Sequence, residues 1–248
     1  MNKAALDMIT QEQAPARCFL LIGQSNMAGR GPLDTVPALP DPNIRMFRDG
    51  HWIEAREPLH TDKPEVAGIG LGMSFAQALL LQEPGPAMGL IPCAVGGTPL
   101  ARWMPQADLY TQAVTTVRAA GALGKVEGIL WHQGEGDAQQ EQNARSYGRR
   151  LAEMIAALRA DLRAPTVPFV AGELGAFLKD HETCHAFFAV VNGELRALCD
   201  RVPAFRLAKA DGLTDKGDAV HFDSPALREF GQRYAREFLA LKKGMVGK

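Results

Sequence analysis

A chain of 248 residues with 46% hydrophobic and 22% charged side chains can bury a large core without disulfide or metal staples. A formal net charge of -1 gives no electrostatic footprint for nucleic acid or an anionic membrane, and no run of about 18 apolar residues reads as a membrane span. The cysteines Cys18, Cys93, Cys184 and Cys199 form no C-x-x-C pair, and buried thiols are favoured over a structural disulfide.

Met1 to Arg17 lacks the charged-then-apolar pattern of a secretion signal. A cytoplasmic protein is therefore expected, or a secreted one whose signal has been removed. Residues 1–16 read as disordered or loosely packed, and 1–248 as a single domain.

The first apolar run, Phe19–Ile22, predicts a buried strand. Gly23-Gln24-Ser25-Asn26-Met27-Ala28-Gly29 follows it, which places a serine where a strand leaves a sheet. Residues 32–70 carry Pro32, Pro37, Pro40, Pro42, Pro58 and Pro64 and are too long for a simple connection. They predict an ordered flap near the site, with a small hairpin at Ile44–Ile53. Helical periodicity at Ser74–Gln82 leads to a second strand at Met88–Ala94 and the turn Gly96-Gly97-Thr98. A helix over Leu109–Ala120 leads to a third strand, Gly128–Trp131, and then His132-Gln133-Gly134-Glu135.

The clearest helix covers Ala144–Leu162, with Tyr147, Leu151, Met154, Ile155 and Leu158 on one stripe. A fourth strand at Pro168–Val170 precedes Glu173, and a helix over His185–Cys199 precedes a fifth strand, Phe205–Ala208. Asp218 and His221 come next. The last helix, Ser224–Lys243, is expected to be capped by Ser224 with Pro225 at its first position, and Lys242–Lys248 to fray. Alternating strands and helices predict a five-stranded parallel sheet with helices on both faces.

In such a sheet, ligands bind beyond the carboxyl ends of the strands. Every chemically suggestive cluster falls on that edge: Ser25, Gly96-Gly97-Thr98, Gln133 with Glu135, Glu173, and Asp218 with His221. Ester hydrolysis needs a nucleophile, a base, and donors for the developing oxyanion. Ser25 with His221 and Asp218 supplies the first two, one turn bringing the carboxylate beside the imidazole. Gly97 and Gln133 are candidate oxyanion donors, although Gly96-Gly97 equally suits an ordinary strand-to-helix turn and Gln133 a buried bridge between loops. Gln24, Arg102, Trp103 and Glu135 are candidate substrate contacts, although Trp103 suits a core equally well and Glu135 suits support of the site loops. Gly23-Gln24-Ser25-Asn26-Met27 lacks the second glycine of G-x-S-x-G, so this is not the ordinary α/β-hydrolase elbow.

These blocks together resemble those of the SGNH hydrolases, and more narrowly the sialate O-acetylesterase and acetylxylan esterase branch, carbohydrate esterase family six. They are Gly23–Gly29, Gly96–Thr98, Trp131-His132-Gln133-Gly134-Glu135 and Asp218-Ala219-Val220-His221-Phe222, in that order. The resemblance implies a three-layer, flavodoxin-like α/β/α fold and metal-free deacetylation without a cofactor. It makes Ser25 the nucleophile, His221 the base and Asp218 its orienting carboxylate. The Ser25 amide, the Gly97 amide and the Gln133 side chain would meet the oxyanion. The implied partner is a saccharide or small-molecule acetyl ester, and the oligomeric state stays open. A non-catalytic sugar-binding module and a lipase or thioesterase on the same fold are the alternatives.

His181-Glu182-Thr183-Cys184-His185 also fits H-E-x-x-H, a zinc-protease pattern. The residues that follow offer neither the glycine nor the third histidine of the extended form, so we read it as chance.

Overall fold

The computed structural model describes residues 14–181 and 185–246. Its centre is a seven-stranded sheet in the order β3-β2-β4-β1-β5-β6-β7. The strands are β1 (Arg17–Gly23), β2 (Ile44–Arg48), β3 (His51–Glu54), β4 (Met88–Pro92), β5 (Val126–His132), β6 (Phe169–Gly172) and β7 (Phe205–Ala208). All neighbours run parallel except β2 and β3, which form an antiparallel hairpin. The five strands expected from the apolar runs are all present. The hairpin expected at Ile44–Ile53 also forms, but β2 pairs with β4, so the sheet has seven strands rather than five and is not wholly parallel.

The helices are α1 (Ser25–Ala28), α2 (Gly72–Gln82), α3 (Asp108–Ala119), α4 (Glu141–Asp161), α5 (Phe188–Arg201) and α6 (Ser224–Val246). Successive strand side chains point to opposite faces, and both faces are buried. Leu20, Ile22, Ile129, Trp131 and Phe169 join the core under α3, α4 and α5. Phe19, Leu21, Leu130 and Val170 join the core under α2 and α6. The stripe on α4, from Tyr147 to Leu158, is buried as its spacing requires. On the other face Phe19, Phe75 and Phe238 meet edge to face, with centroids 5.1 to 6.1 Å apart.

Two terminal expectations change. The cap of α6 is Asp223, one residue before the expected Ser224: its Oδ1 accepts from the Ala226 amide at 2.7 Å. The Ser224 hydroxyl donates instead to Pro32 O at 2.7 Å, fastening the start of α6 to the flap. The helix continues to Val246, three residues past the expected Lys243, with Lys242 tied down; residues 247–248 lie outside those described. Lys242 Nζ reaches Glu83 at 2.7 Å and Glu127 at 3.0 Å, while Arg17 pairs with the same two carboxylates. At the other end Ala14 packs on the core and Pro15 O accepts from the Cys18 thiol at 3.2 Å. Residues 1–13 lie outside those described. Cys18, Cys93 and Cys199 are free thiols, and Cys184 is outside the described residues.

Truncating a ring in the Phe19–Phe75–Phe238 cluster tests this packing. Phe238→Ala should lower the unfolding free energy by about 3–5 kcal/mol, the usual cost of such a cavity, in urea denaturation. A loss below about 1 kcal/mol would mean that α6 is not seated on β1 and β5 as described.

Candidate active site

The carboxyl ends of β1 and β5 approach so closely that only glycine fits at position 23. Its φ is +130°, and a Cβ there would lie 2.1 Å from His132 O. Gln24 N then donates to His132 O at 2.8 Å, which turns the chain out of the sheet and sets Ser25 at the start of α1. After β7, residues 214–223 fold back as a tight loop against the start of α1. Asp215 Oδ2 accepts from the Gly217 and Ala219 amides at 2.8 and 2.7 Å. Ala219 takes a left-handed φ of +54°.

These two turns bring Ser25, His221 and Asp218 into one hydrogen-bonded line. Ser25 Oγ lies 3.0 Å from His221 Nε2, and His221 Nδ1 lies 2.7 Å from Asp218 Oδ2. Asp218 Oδ1 accepts from the Val220 and His221 amides at 3.0 and 2.8 Å. Partial burial pushes the Asp218 carboxyl upward. The amides of His221 and Val220 and the His221 ring outweigh that and hold it at about 2. Lys216 Nζ approaches the same Oδ2 at 3.5 Å.

Gly97, at φ +76°, stands on the turn after β4. Among the described residues no hydrogen bond takes up the Ser25 or the Gly97 amide. Gln133 takes the role of a buried bridge between loops. It is fully buried, and its Nε2 donates to Thr98 O at 3.1 Å and to Asp137 Oδ2 at 2.7 Å. Both amide hydrogens are thus committed within the protein, and Gln133 braces the Gly97-Thr98 turn instead of presenting a free donor. Asp137 completes the brace by accepting from Leu100 N and Arg150 Nη2, each at 2.7 Å.

Most candidate substrate contacts are also interior. Trp103 is 1% exposed, packs edge-on against Trp131 with centroids 5.6 Å apart, and donates to Thr98 Oγ1. Glu135 is buried and accepts from Asn26 Nδ2 at 2.5 Å. Gln24 is buried and its Oε1 accepts from Gly136 N at 3.3 Å. The neighbours that fill these positions lie far away in sequence, so spacing alone placed them at the cleft. Arg102 does face solvent, paired with Asp108. Glu173 is bound to Arg196 at 2.7 Å and serves the end of β6.

Three site residues escaped the sequence reading. Asp62, from the flap, accepts from Arg30 Nη2 and from Gly96 N, each at 2.7 Å, and so ties the flap to both glycine turns. Burial raises its carboxyl, but these donors prevail and hold it below the usual range. Asn26 and Lys216 were missed because their partners are set by the loop geometry. The described parts of H-E-x-x-H are not helical. His181 is extended, His185 has a φ of +70°, and its Nδ1 contacts Glu135 O at 2.7 Å. Glu182, Thr183 and Cys184 lie outside the described residues. Among those described, no cluster of three His, Cys, Asp or Glu side chains could hold a metal.

The three-layer sheet with its polar edge is a fold of the SGNH-hydrolase type, and similar solved structures agree. NanS superposes with a TM-score of 0.72 at 20% identity, covering 93% of this chain and 99% of its own. The carbohydrate acetylesterase XAC1771 of Xanthomonas citri gives 0.69 at 21%, covering 92% of this chain and 57% of its own. At these identities the likeness speaks for the fold alone.

The family follows from closer matches. Residues 15–240 match the model of the carbohydrate esterase, sialic acid-specific acetylesterase family, and the chain belongs to that family. Probable carbohydrate esterase At4g34215 of Arabidopsis thaliana is 31% identical over 249 residues, 91% of each chain. Its crystal structure superposes with a TM-score of 0.82, covering 91% of this chain and 98% of its own.

The depressed Asp218 carboxyl has a stability consequence of definite sign. Its stabilising contribution is present above the ordinary carboxyl value of about 3.9 and is lost as pH falls toward about 2. Between those limits wild type should lose more thermal stability than Asp218→Asn, measured as Tm against pH. Parallel Tm curves for the two proteins would contradict the hydrogen-bond set drawn for Asp218.

Proposed function

We propose that this carbohydrate esterase is a serine enzyme that removes O-acetyl groups from a saccharide or related small ester through an acyl-enzyme intermediate. The observation that carries this reading is the unbroken line Ser25–His221–Asp218, with contacts of 3.0 and 2.7 Å. His221 Nε2 takes the Ser25 proton as Oγ attacks the acetyl carbonyl carbon. Asp218 holds the Nδ1 proton and stabilises the imidazolium that forms. The amides of Ser25 and Gly97 meet the developing oxyanion, and Gln133 keeps the Gly97 turn in place.

The tetrahedral species collapses as His221 returns the proton to the departing sugar oxygen. Acetyl stays on Ser25. Water then attacks the acyl carbon with His221 again as base, and acetate leaves. No metal or cofactor enters this scheme. Arg102 keeps an exposed head for a substrate contact. A lipase-like role finds less support. The apolar groove of about 940 Å³ between α2 and α6, lined by Val36, Leu39, Leu81 and Leu239, includes none of the three site residues.

Ser25→Ala should remove aryl-acetate hydrolysis by several orders of magnitude with an unchanged circular dichroism spectrum. Retained turnover would exclude Ser25 as nucleophile. Asp218→Asn should lower kcat about 10⁴-fold with KM little affected, because the imidazole loses the partner that fixes its tautomer. Asp215 and Asp223 are both engaged in shaping their own turns, so neither substitutes for it. Across an acyl series, acetate should be the best substrate, and a panel of acetylated saccharides should release acetate. An optimum beyond butyrate would favour the lipase alternative. Glycan binding with no acetate release from any ester would favour the binding-module alternative.

A further inference from the structure

Behind the serine runs a buried polar chain that the esterase mechanism does not use directly. It starts at Asn26, which is 1% exposed. Its Oδ1 accepts from Phe222 N at 3.1 Å, and its Nδ2 donates to Val220 O at 3.1 Å and to Glu135 Oε1 at 2.5 Å. Val220 and Phe222 flank His221 in the chain. One side chain on the element that carries Ser25 therefore grips the backbone on both sides of the base. Other backbone bonds of this loop are internal, such as Lys216 N to His221 O at 2.9 Å and Asp223 N to Thr214 O at 3.1 Å.

Glu135 is held in turn by His132, which is fully buried between the edges of Phe222 and Phe230. The Tyr234 hydroxyl has one proton and donates it to Trp131 O at 2.8 Å. His132 Nδ1, 3.2 Å from the same hydroxyl, must therefore be the donor in that contact. Its Nε2 faces Glu135 Oε1 at 3.4 Å. Burial works to raise the Glu135 carboxyl, but His132 and Asn26 outweigh it and hold it below its ordinary value. Glu135 is thus a fixed acceptor that prevents the Asn26 amide from rotating.

We propose that Asn26 is a positioning residue for His221, and that Glu135 acts through Asn26, anchored by His132. This rests on the serine-esterase reading. The base must stay within hydrogen-bond reach of Ser25 Oγ and still reach the leaving oxygen, yet it sits on an exposed loop. Asn26 makes the loop and the nucleophile move as one body.

Steady-state kinetics of the whole chain on an aryl acetate, normalised to natively folded protein by near-ultraviolet circular dichroism, tests the proposal. Asn26→Ala and, independently, Glu135→Ala should each lower kcat about 100-fold, the loss expected from a displacement of about 1 Å, with KM within about threefold of wild type. Glu135→Gln keeps an oxygen acceptor for the Asn26 amide and should regain most of that kcat. If Asn26→Ala does not fold, the Glu135 variants decide. Unchanged kcat per folded molecule, a rise in KM in place of the kcat loss, or no advantage of Glu135→Gln over Glu135→Ala would overturn the proposal. A wild-type protein that hydrolyses no ester would instead end the esterase reading, and this inference with it.

Discussion

The close crossing of the β1 and β5 exits governs the rest of the molecule. Gly23 lies against His132 O with no room for a side chain, and the Gln24 amide bonds that same oxygen. This contact fixes the serine turn relative to the loop from Gln133 to Asp137. The braces that follow depend on that relation. Asn26 can reach Glu135, and Gly136 can reach Gln24, only because the two exits stand side by side. Substituting Gly23 would demand an unfavourable backbone and displace β5, so a glycine here is a geometric necessity.

Around this crossing the site is held by buried charge. Arg30 with Asp62 and Arg150 with Asp137 bring together the flap, the turn after β4, the long helix α4 and the β5 loop. Burying ion pairs adds little net stability, since desolvation offsets most of the attraction. Their value in this fold is directional, because each fixes a loop whose backbone has few other partners. Preorganised donors of this kind cost no reorganisation at the moment of reaction, which is where esterases gain most of their advantage.

Much of this was legible in the residues themselves. β1, β4, β5, β6 and β7 announce themselves as apolar runs, because strands covered on both faces are mostly apolar along their length. The helices announce themselves through stripes such as Tyr147 to Leu158. β2 and β3 read as a hairpin, but nothing local says that Ile44–Arg48 will pair with β4. On β3 Trp52 is the one buried side chain, and it reaches across to Ala120 O. Ser25, Asp218 and His221 stood out because their motifs are short and contiguous. Gln133, Trp103 and Glu135 were placed on the right edge, but between a cleft-facing and an interior role the residues alone left the choice open. Whether such side chains face a cleft or the interior is decided by Thr98, Trp131 and Asn26, at distances no periodicity encodes. Asp62 carried no local signal, since its role depends on how the proline-rich flap closes onto Gly96.

The central claim is that Ser25 becomes covalently acylated with His221 as its base. It is tested most directly by labelling the protein with a fluorophosphonate and mapping the adduct by peptide mass spectrometry. The triad mechanism predicts one adduct per chain, on Ser25, with a labelling rate that falls as acid protonates the base and is lost in His221→Ala. A protein that hydrolyses acetyl esters while remaining unlabelled, or that carries the adduct on another residue, would contradict it.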